Sequence, residues 1–143
     1  MSDAPAIRWF HDEMLRPAFA EPGRPSLFVF DEARLREDRW SLKRVVFVYE
    51  CLIELPGLTI RRGEPADVIA AFARAHKAGT IETAAAAHPR VRETGAELER
   101  RGFRINILGE PAFARLPEDV DLKRFSRYWR KAQKQVFEPS DAV

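Results

Sequence analysis

Few residues in this chain are of types that do chemistry, and they are widely spaced. His11-Asp12, Asp31-Glu32, Arg62-Gly63-Glu64 and His88 stand beside short apolar runs, where strand ends meet loops or helix starts. A histidine there can bind a ligand or move a proton near neutrality. Paired carboxylates such as Asp31-Glu32 suit acid–base work, and suit a solvated strand end equally well. Gly63 before Pro65 permits close backbone approach, and the helix that follows points its first amides at an anion. No second glycine follows Gly63, so there is no phosphate loop of the dinucleotide or P-loop type, and the turn serves equally as a plain strand-to-helix connection. His11, His76 and His88 are too scattered for a metal site. His76 falls near a helix C-terminus, where a cation is welcome. Cys51 is the single cysteine; it cannot form an internal disulfide and lies in an apolar helical stretch, as an inert core residue would. No Ser/His/Asp or Cys/His set is present, and no catalytic residue is assigned.

The second group of interest is basic. Between Asp121 and Phe137 the chain carries Lys123, Arg124, Arg127, Arg130, Lys131 and Lys134, with Asp121 as the one acidic residue. Phe125, Tyr128, Trp129 and Val136 are interleaved with them. Arg124, Arg127, Trp129, Arg130 and Lys131 could contact nucleic acid through phosphate neutralisation and base stacking. The same residues could dock a partner protein, or the basic ones could simply be solvated with the aromatics in the core.

The elements that must position these groups alternate. Ile7 to Phe10 and Leu27 to Phe30 read as strands, separated by one helical turn at Pro17 and a Pro/Gly loop. Trp40 to Leu55 contains Val45-Val46-Phe47-Val48-Tyr49, which has strand propensity. Leu42, Val45, Val46, Tyr49, Leu52 and Ile53 nevertheless recur at helical spacing, and no breaker occurs before Pro56-Gly57, so the stretch is expected to be helix. Leu58 to Arg61 is a strand and Ala66 to Ala78 a helix ended by Gly79. Thr80 to Thr83 is a weak strand, Ala84 to Pro89 a loop, Val91 to Arg101 a helix, and Phe103 to Leu108 the last strand. A final helix is expected at about 122–136. This rhythm predicts an α/β fold: a Rossmann-like five-stranded parallel sheet, order 3-2-1-4-5, with helices on both faces. Ligands of such sheets sit beyond the carboxyl ends of the strands, at the switch in strand order. His11, Asp12, Asp31, Arg62, Gly63, Glu64 and His88 are therefore expected around one crevice, as candidate cofactor-binding residues.

A length of 143 residues fits one domain, 1–143. Apolar residues at 45% and charged residues at 32% are ordinary for a folded protein, and a net charge of +2 implies no partner. No signal pattern opens the chain and no apolar run approaches the ~18–20 residues that span a bilayer, so no membrane association and a cytoplasmic location are expected.

Several of these segments together resemble the DNA photolyase/cryptochrome family. Ile7 to Ala18 is similar to that family's first strand and its "WFR-D-LR-x-x-NPAL" segment, and Leu27 to Glu32 to its second strand, which ends in an aromatic and Asp. Arg39-Trp40 opening a long helix, then Leu58 to Pro65, resembles the "R-x-x-FL" helix and "L-x-x-RRGDP" turn. Arg124 to Arg130 looks like the closing "FTPFWR" helix. Order and spacing match over roughly residues 6–132. The resemblance implies the family's N-terminal, antenna-binding α/β domain, with a pterin or flavin-type antenna chromophore as the candidate cofactor. It implies no FAD here, because the all-helical flavin domain falls beyond Val143, and hence no lesion repair by this polypeptide alone. A separately encoded flavin-binding domain or a homodimer is the expected partner. Two departures stand out. His11 and Arg16-Pro17 replace an Arg and an Asp-Asn pair in the first loop. Ala84-Ala85-Ala86-Ala87-His88-Pro89 replaces "N-R-E-Y-E-P", putting methyl groups where carboxylates and amides contact the antenna. A binding module is one functional reading; a small nucleotide-binding enzyme or sensor using the crevice at His11, Asp12 and Gly63 is the alternative.

Overall fold

The computed structural model describes residues 4–109 and 125–137. The chain divides into two compact units, Met1–Gly109 and Glu110–Val143. In the first, β1 (Ala6–Phe10), β2 (Ser26–Asp31), β3 (Leu58–Gly63), β4 (Thr80–Ala84) and β5 (Arg104–Leu108) form one parallel sheet in the order β3-β2-β1-β4-β5. The strand order expected from the alternation of elements is the one observed.

Helices cover both faces. Residues alternate across each strand, so Ile7, Trp9, Leu27, Val29 and Ile81 face one way. They pack with Ala66, Ile69, Ala70 and Ala73 of α3 (Pro65–Ala75) and with Val91 and Leu98 of α4 (Pro89–Arg100). Phe10 and Phe28 face the other way, against Val48 and Leu52 of α2 (Leu42–Ile53), Phe19 of a short 3-10 turn at Pro17–Phe19, and Met14. The run Val45 to Tyr49 is helical despite its strand propensity. Ser41 caps its start by accepting the Arg44 N–H, and Val48 and Leu52 bury a stripe of the helix against the sheet.

One helix was not foreseen: α1 (Glu32–Glu37) follows β2 directly. Its six residues hold only Ala33 and Leu35 as apolar positions, too few to show a period. In the second unit, α5 (Phe125–Phe137) occupies most of the helix expected at about 122–136; residues 122–124, Arg124 included, lie outside the described residues. Among the described residues no helix is long and apolar enough to cross a membrane.

Candidate functional site

The sheet reverses its order between β1 and β4, and the crevice beyond their carboxyl ends is built by the loops that leave β1, β2 and β4. His11 continues β1 and is buried. Its Nε2 lies 2.9 Å from the Ala84 carbonyl oxygen, and its Nδ1 accepts the Glu13 N–H at 3.2 Å. Both ring nitrogens are thus spent on backbone, and His11 pins the ends of β1 and β4 together at the switch point.

Asp12 is nine-tenths buried and takes a two-point hydrogen bond from Arg34 of α1, at 2.7 and 3.0 Å. Burial alone would raise the carboxyl's pKa, but the Arg34 hydrogen bonds and charge outweigh it and hold Asp12 below its ordinary value. Asp31 is equally buried and does two jobs. Its Oδ1 accepts the Arg34 N–H and so caps α1, while both carboxylate oxygens accept from Arg90 of α4. Those hydrogen bonds raise the Arg90 pKa above its ordinary value and keep the guanidinium charged. Asp31 is therefore not the solvated strand end that sequence alone allowed.

His88 caps α4 through Nδ1, which accepts the Arg90 N–H, and its Nε2 lies 3.0 Å from an Asp38 oxygen. The Glu13 carboxylate accepts the N–H groups of Ala87 and His88 at 3.1–3.3 Å. Side chains of the protein thus take the N–H groups of Ala87, His88 and Arg90 at the start of α4, where an anionic ligand would be expected. Glu64 does the same for α3, accepting the Asp67 N–H at 3.0 Å.

Of the seven residues expected around one crevice, the structure brings His11, Asp12 and Asp31 to a common wall, and places His88 at the cap of α4. Arg62 points away: its side chain is 83% exposed and pairs with Glu32 at 3.5 Å. Gly63 takes a φ of +139°, and a Cβ there would meet Val68 Cγ2 at 3.3 Å, so its glycine is required by the turn. Sequence reasoning passed over Glu13, Arg34, Asp38 and Arg90, which satisfy the expected residues. The available signal was Asp31 itself, an N-cap residue followed by Glu32 in a first helical turn.

The space left at the centre of this network, between Trp9, Asp12, Asp31, Arg34 and Arg90, is about 30 Å³. That is room for roughly one or two water molecules. A pterin or flavin ring does not fit it. A larger opening of about 420 Å³ lies beside it, between α4 and the β4–β5 side of the sheet. Ala84, Ala85, Ala86, Gly95, Ala96 and Ile107 form much of its lining, with Arg92 and Glu99 as its charged groups. Here the methyl groups of Ala84 to Ala86 create volume by being small. Openings of similar size at the amino ends of the strands are bordered by polar groups such as Arg24, Glu82 and Arg104.

On α5 the Trp129 ring stacks on Phe125, with centroids 5.9 Å apart and planes 14° from parallel, and Arg130 and Lys131 are exposed. The side chain of Arg127 lies outside the described residues. Among the described residues no cluster of three or more His, Cys, Asp or Glu side chains could hold a metal ion. The chain matches no protein-family model and no curated protein.

Proposed function

We propose that this chain is a photolyase-type α/β domain acting as a binding module, and that it takes a flat aromatic ligand in the cleft between α4 and the β4–β5 side. The ligand class is a pterin- or flavin-type chromophore or a nucleotide base. One contrast carries the reading: the charged crevice at the switch point has about 30 Å³ free, whereas the adjoining apolar cleft has about 420 Å³. Small-molecule sites are mostly apolar, hold ~300–1,000 Å³, and carry a few polar groups that fix orientation. Ile105, Ile107 and the alanines supply the first property, and Arg92 and Glu99 the last. Bound there, an antenna chromophore would supply light absorption; the chain's own residues would sandwich the ring and exclude water. Photolyase-type repair would belong to a complex with a flavin-binding partner, because that chemistry needs FAD. The enzyme or sensor reading has no comparable support, since His11, Asp12 and Asp31 are all engaged by partners within the fold.

The test is ligand identification followed by a blocking variant. The absorption spectrum of the purified protein is recorded, any released small molecule is identified by mass spectrometry, and riboflavin, a reduced pterin and ATP are titrated by calorimetry. Gly95 lines the cleft and nothing lies within 4 Å of a Cβ built on it, so Gly95→Trp introduces an indole from a backbone position with room for the first side-chain atom. At least one of these ligands is expected to bind, and about tenfold or more weaker in Gly95→Trp. Binding that survives Gly95→Trp but is lost in Arg90→Ala moves the site to the crevice. No binding and no colour overturns the small-molecule reading.

A second occupant class is favoured by one observation on α5. Its stacked Phe125–Trp129 pair beside exposed Arg130 and Lys131 is the composition of a docking surface for a protein or a nucleic-acid strand.

A further inference from the structure

Helix α2 carries two apolar stripes, and only one of them faces the sheet. Val48 and Leu52 are buried, with Val45 partly so. Leu42, Val46, Tyr49 and Ile53 lie a quarter turn away and are 78%, 45%, 48% and 59% exposed. Four large apolar side chains in a continuous row on solvent are not explained by scattered surface hydrophobicity. Their spacing of four, three and four residues is that of a coiled-coil seam, which asks for a second helix.

The row also reads the same from either end. In an antiparallel pair with a twofold axis between Phe47 and Val48, Leu42 meets the other copy's Ile53 and Val46 meets its Tyr49. Four layers form from one repeated pattern, which is the self-complementarity that a twofold interface requires. The charges beside the row agree. Lys43 and Glu50 are both exposed on its solvent side, at the flanking positions that face each other in an antiparallel pair. Lys43 of each copy then lies next to Glu50 of the other, giving two ion pairs of opposite charge. In a parallel pair the twofold axis would carry the Lys43 and Glu50 side chains of the two copies to opposite sides of the seam, and neither ion pair would form.

We infer that the exposed face of α2 binds a second copy of this chain, as an antiparallel α2–α2 pair seamed by Leu42, Val46, Tyr49 and Ile53 and keyed by Lys43–Glu50. This surface lies on the opposite face of the sheet from α4, and the inference does not depend on what the cleft holds. One short helix pair is a small interface beside the ~1,200–2,000 Å² of standard ones, so association is concentration-dependent.

Sedimentation equilibrium of the full chain over a wide concentration series tests it. The wild type is expected to pass from monomer to dimer. Val46→Asp/Tyr49→Asp is expected to stay monomeric while keeping the wild-type circular dichroism spectrum, since both positions are exposed. Lys43→Glu is expected to raise the dissociation constant about tenfold by turning both ion pairs into repulsions, and Lys43→Glu/Glu50→Lys to restore it to near the wild-type value. A wild type that remains monomeric overturns the inference and gives the face to a different chain. A dimer unaffected by the Asp substitutions, or not restored by the charge swap, overturns it as well.

Discussion

Asp31 and Arg90 stand fifty-nine positions apart in the chain and close on each other through two hydrogen bonds, between the end of β2 and the first turn of α4. Because Asp31 also caps α1, one carboxylate fixes two helix starts and fills the middle of the crevice. The consequence is functional as well as structural: the position where a parallel sheet usually receives its ligand is held shut by an internal ion pair.

Asp31→Asn should separate these roles. Asparagine caps a helix about as well as aspartate but loses the charge that holds Arg90. Its cost is expected at about 1–3 kcal/mol, and Asp31→Ala, which loses the cap too, should cost about 1 kcal/mol more. Urea unfolding of the two variants checks the order. Equal losses would mean that the cap contributes nothing.

How much of this was legible beforehand follows from what a linear pattern contains. The sheet order could be read because Pro25, Gly57, Gly63, Gly79 and Gly102 bound the strands and helices, and short β-prone runs alternate with longer helical ones between them. Helix α2 could be read because its length exceeded that of a strand. Its second apolar stripe could not, since spacing alone put Leu42, Val46, Tyr49 and Ile53 in the same set as Leu52. His11, Asp12 and Asp31 do lie at or just beyond strand ends, whereas His88 caps α4 and Arg62 points away, and the partners of these residues were not found. Arg34 and Arg90 look like solvated helix residues until β1, β2 and β4 bring Asp12 and Asp31 to them. The cleft was also hidden: Ala84 to Ala86 signalled lost polar contacts in one dimension and open volume in three.

The Asp12–Arg34 pair predicts an acid response with a definite sign. Asp12 has its pKa lowered in the folded protein from an ordinary value of 3.8. The folded state therefore binds its proton less readily than the unfolded state. The stabilisation is fully present above about pH 4 and is lost as pH falls through the lowered value. Asp12→Asn should be less stable than wild type at pH 7, and the difference should shrink as pH drops below about 4. Urea midpoints measured from pH 7 to pH 2.5 check this; a constant difference would assign the lost stability to something other than the charge.

Two glycines should respond in opposite directions to the same substitution. Gly95 sits inside α4 with open space around its missing Cβ. Glycine in a helix interior costs roughly 0.5–1 kcal/mol relative to alanine, so Gly95→Ala should stabilise by about that much. Gly63 has a φ of +139° and a Cβ contact of 3.3 Å to Val68 Cγ2. Gly63→Ala should destabilise by about 1–3 kcal/mol. Thermal unfolding of both variants beside the wild type decides it, and a stabilised Gly63→Ala would mean that the β3–α3 turn can adopt another backbone geometry.

At the amino end of the sheet a second buried pair makes a stronger prediction. Arg8 of β1 and Glu82 of β4 are register neighbours, both buried, with Nη2 and Oε2 2.5 Å apart. The Arg8 guanidinium also donates to the Phe19 carbonyl and to Glu21, so it ties the 3-10 turn and its loop to the central strands. Removing one partner of a buried pair strands the other, which typically costs about 3–5 kcal/mol. Glu21 remains within reach of Arg8, so Glu82→Ala should fall at the low end of that range. Arg8→Ala should fall higher in that range, because it releases the Phe19 carbonyl as well and leaves Glu82 with only Arg24, 3.4 Å away. Replacing both with leucine and methionine, as Arg8→Met/Glu82→Leu, should recover much of the loss, since an apolar pair needs no desolvation of charge. Chemical denaturation of the three variants measures the order directly. A double variant no better than Arg8→Ala would show that the tie to Phe19 and Glu21, rather than the ion pair, is what this part of the fold requires.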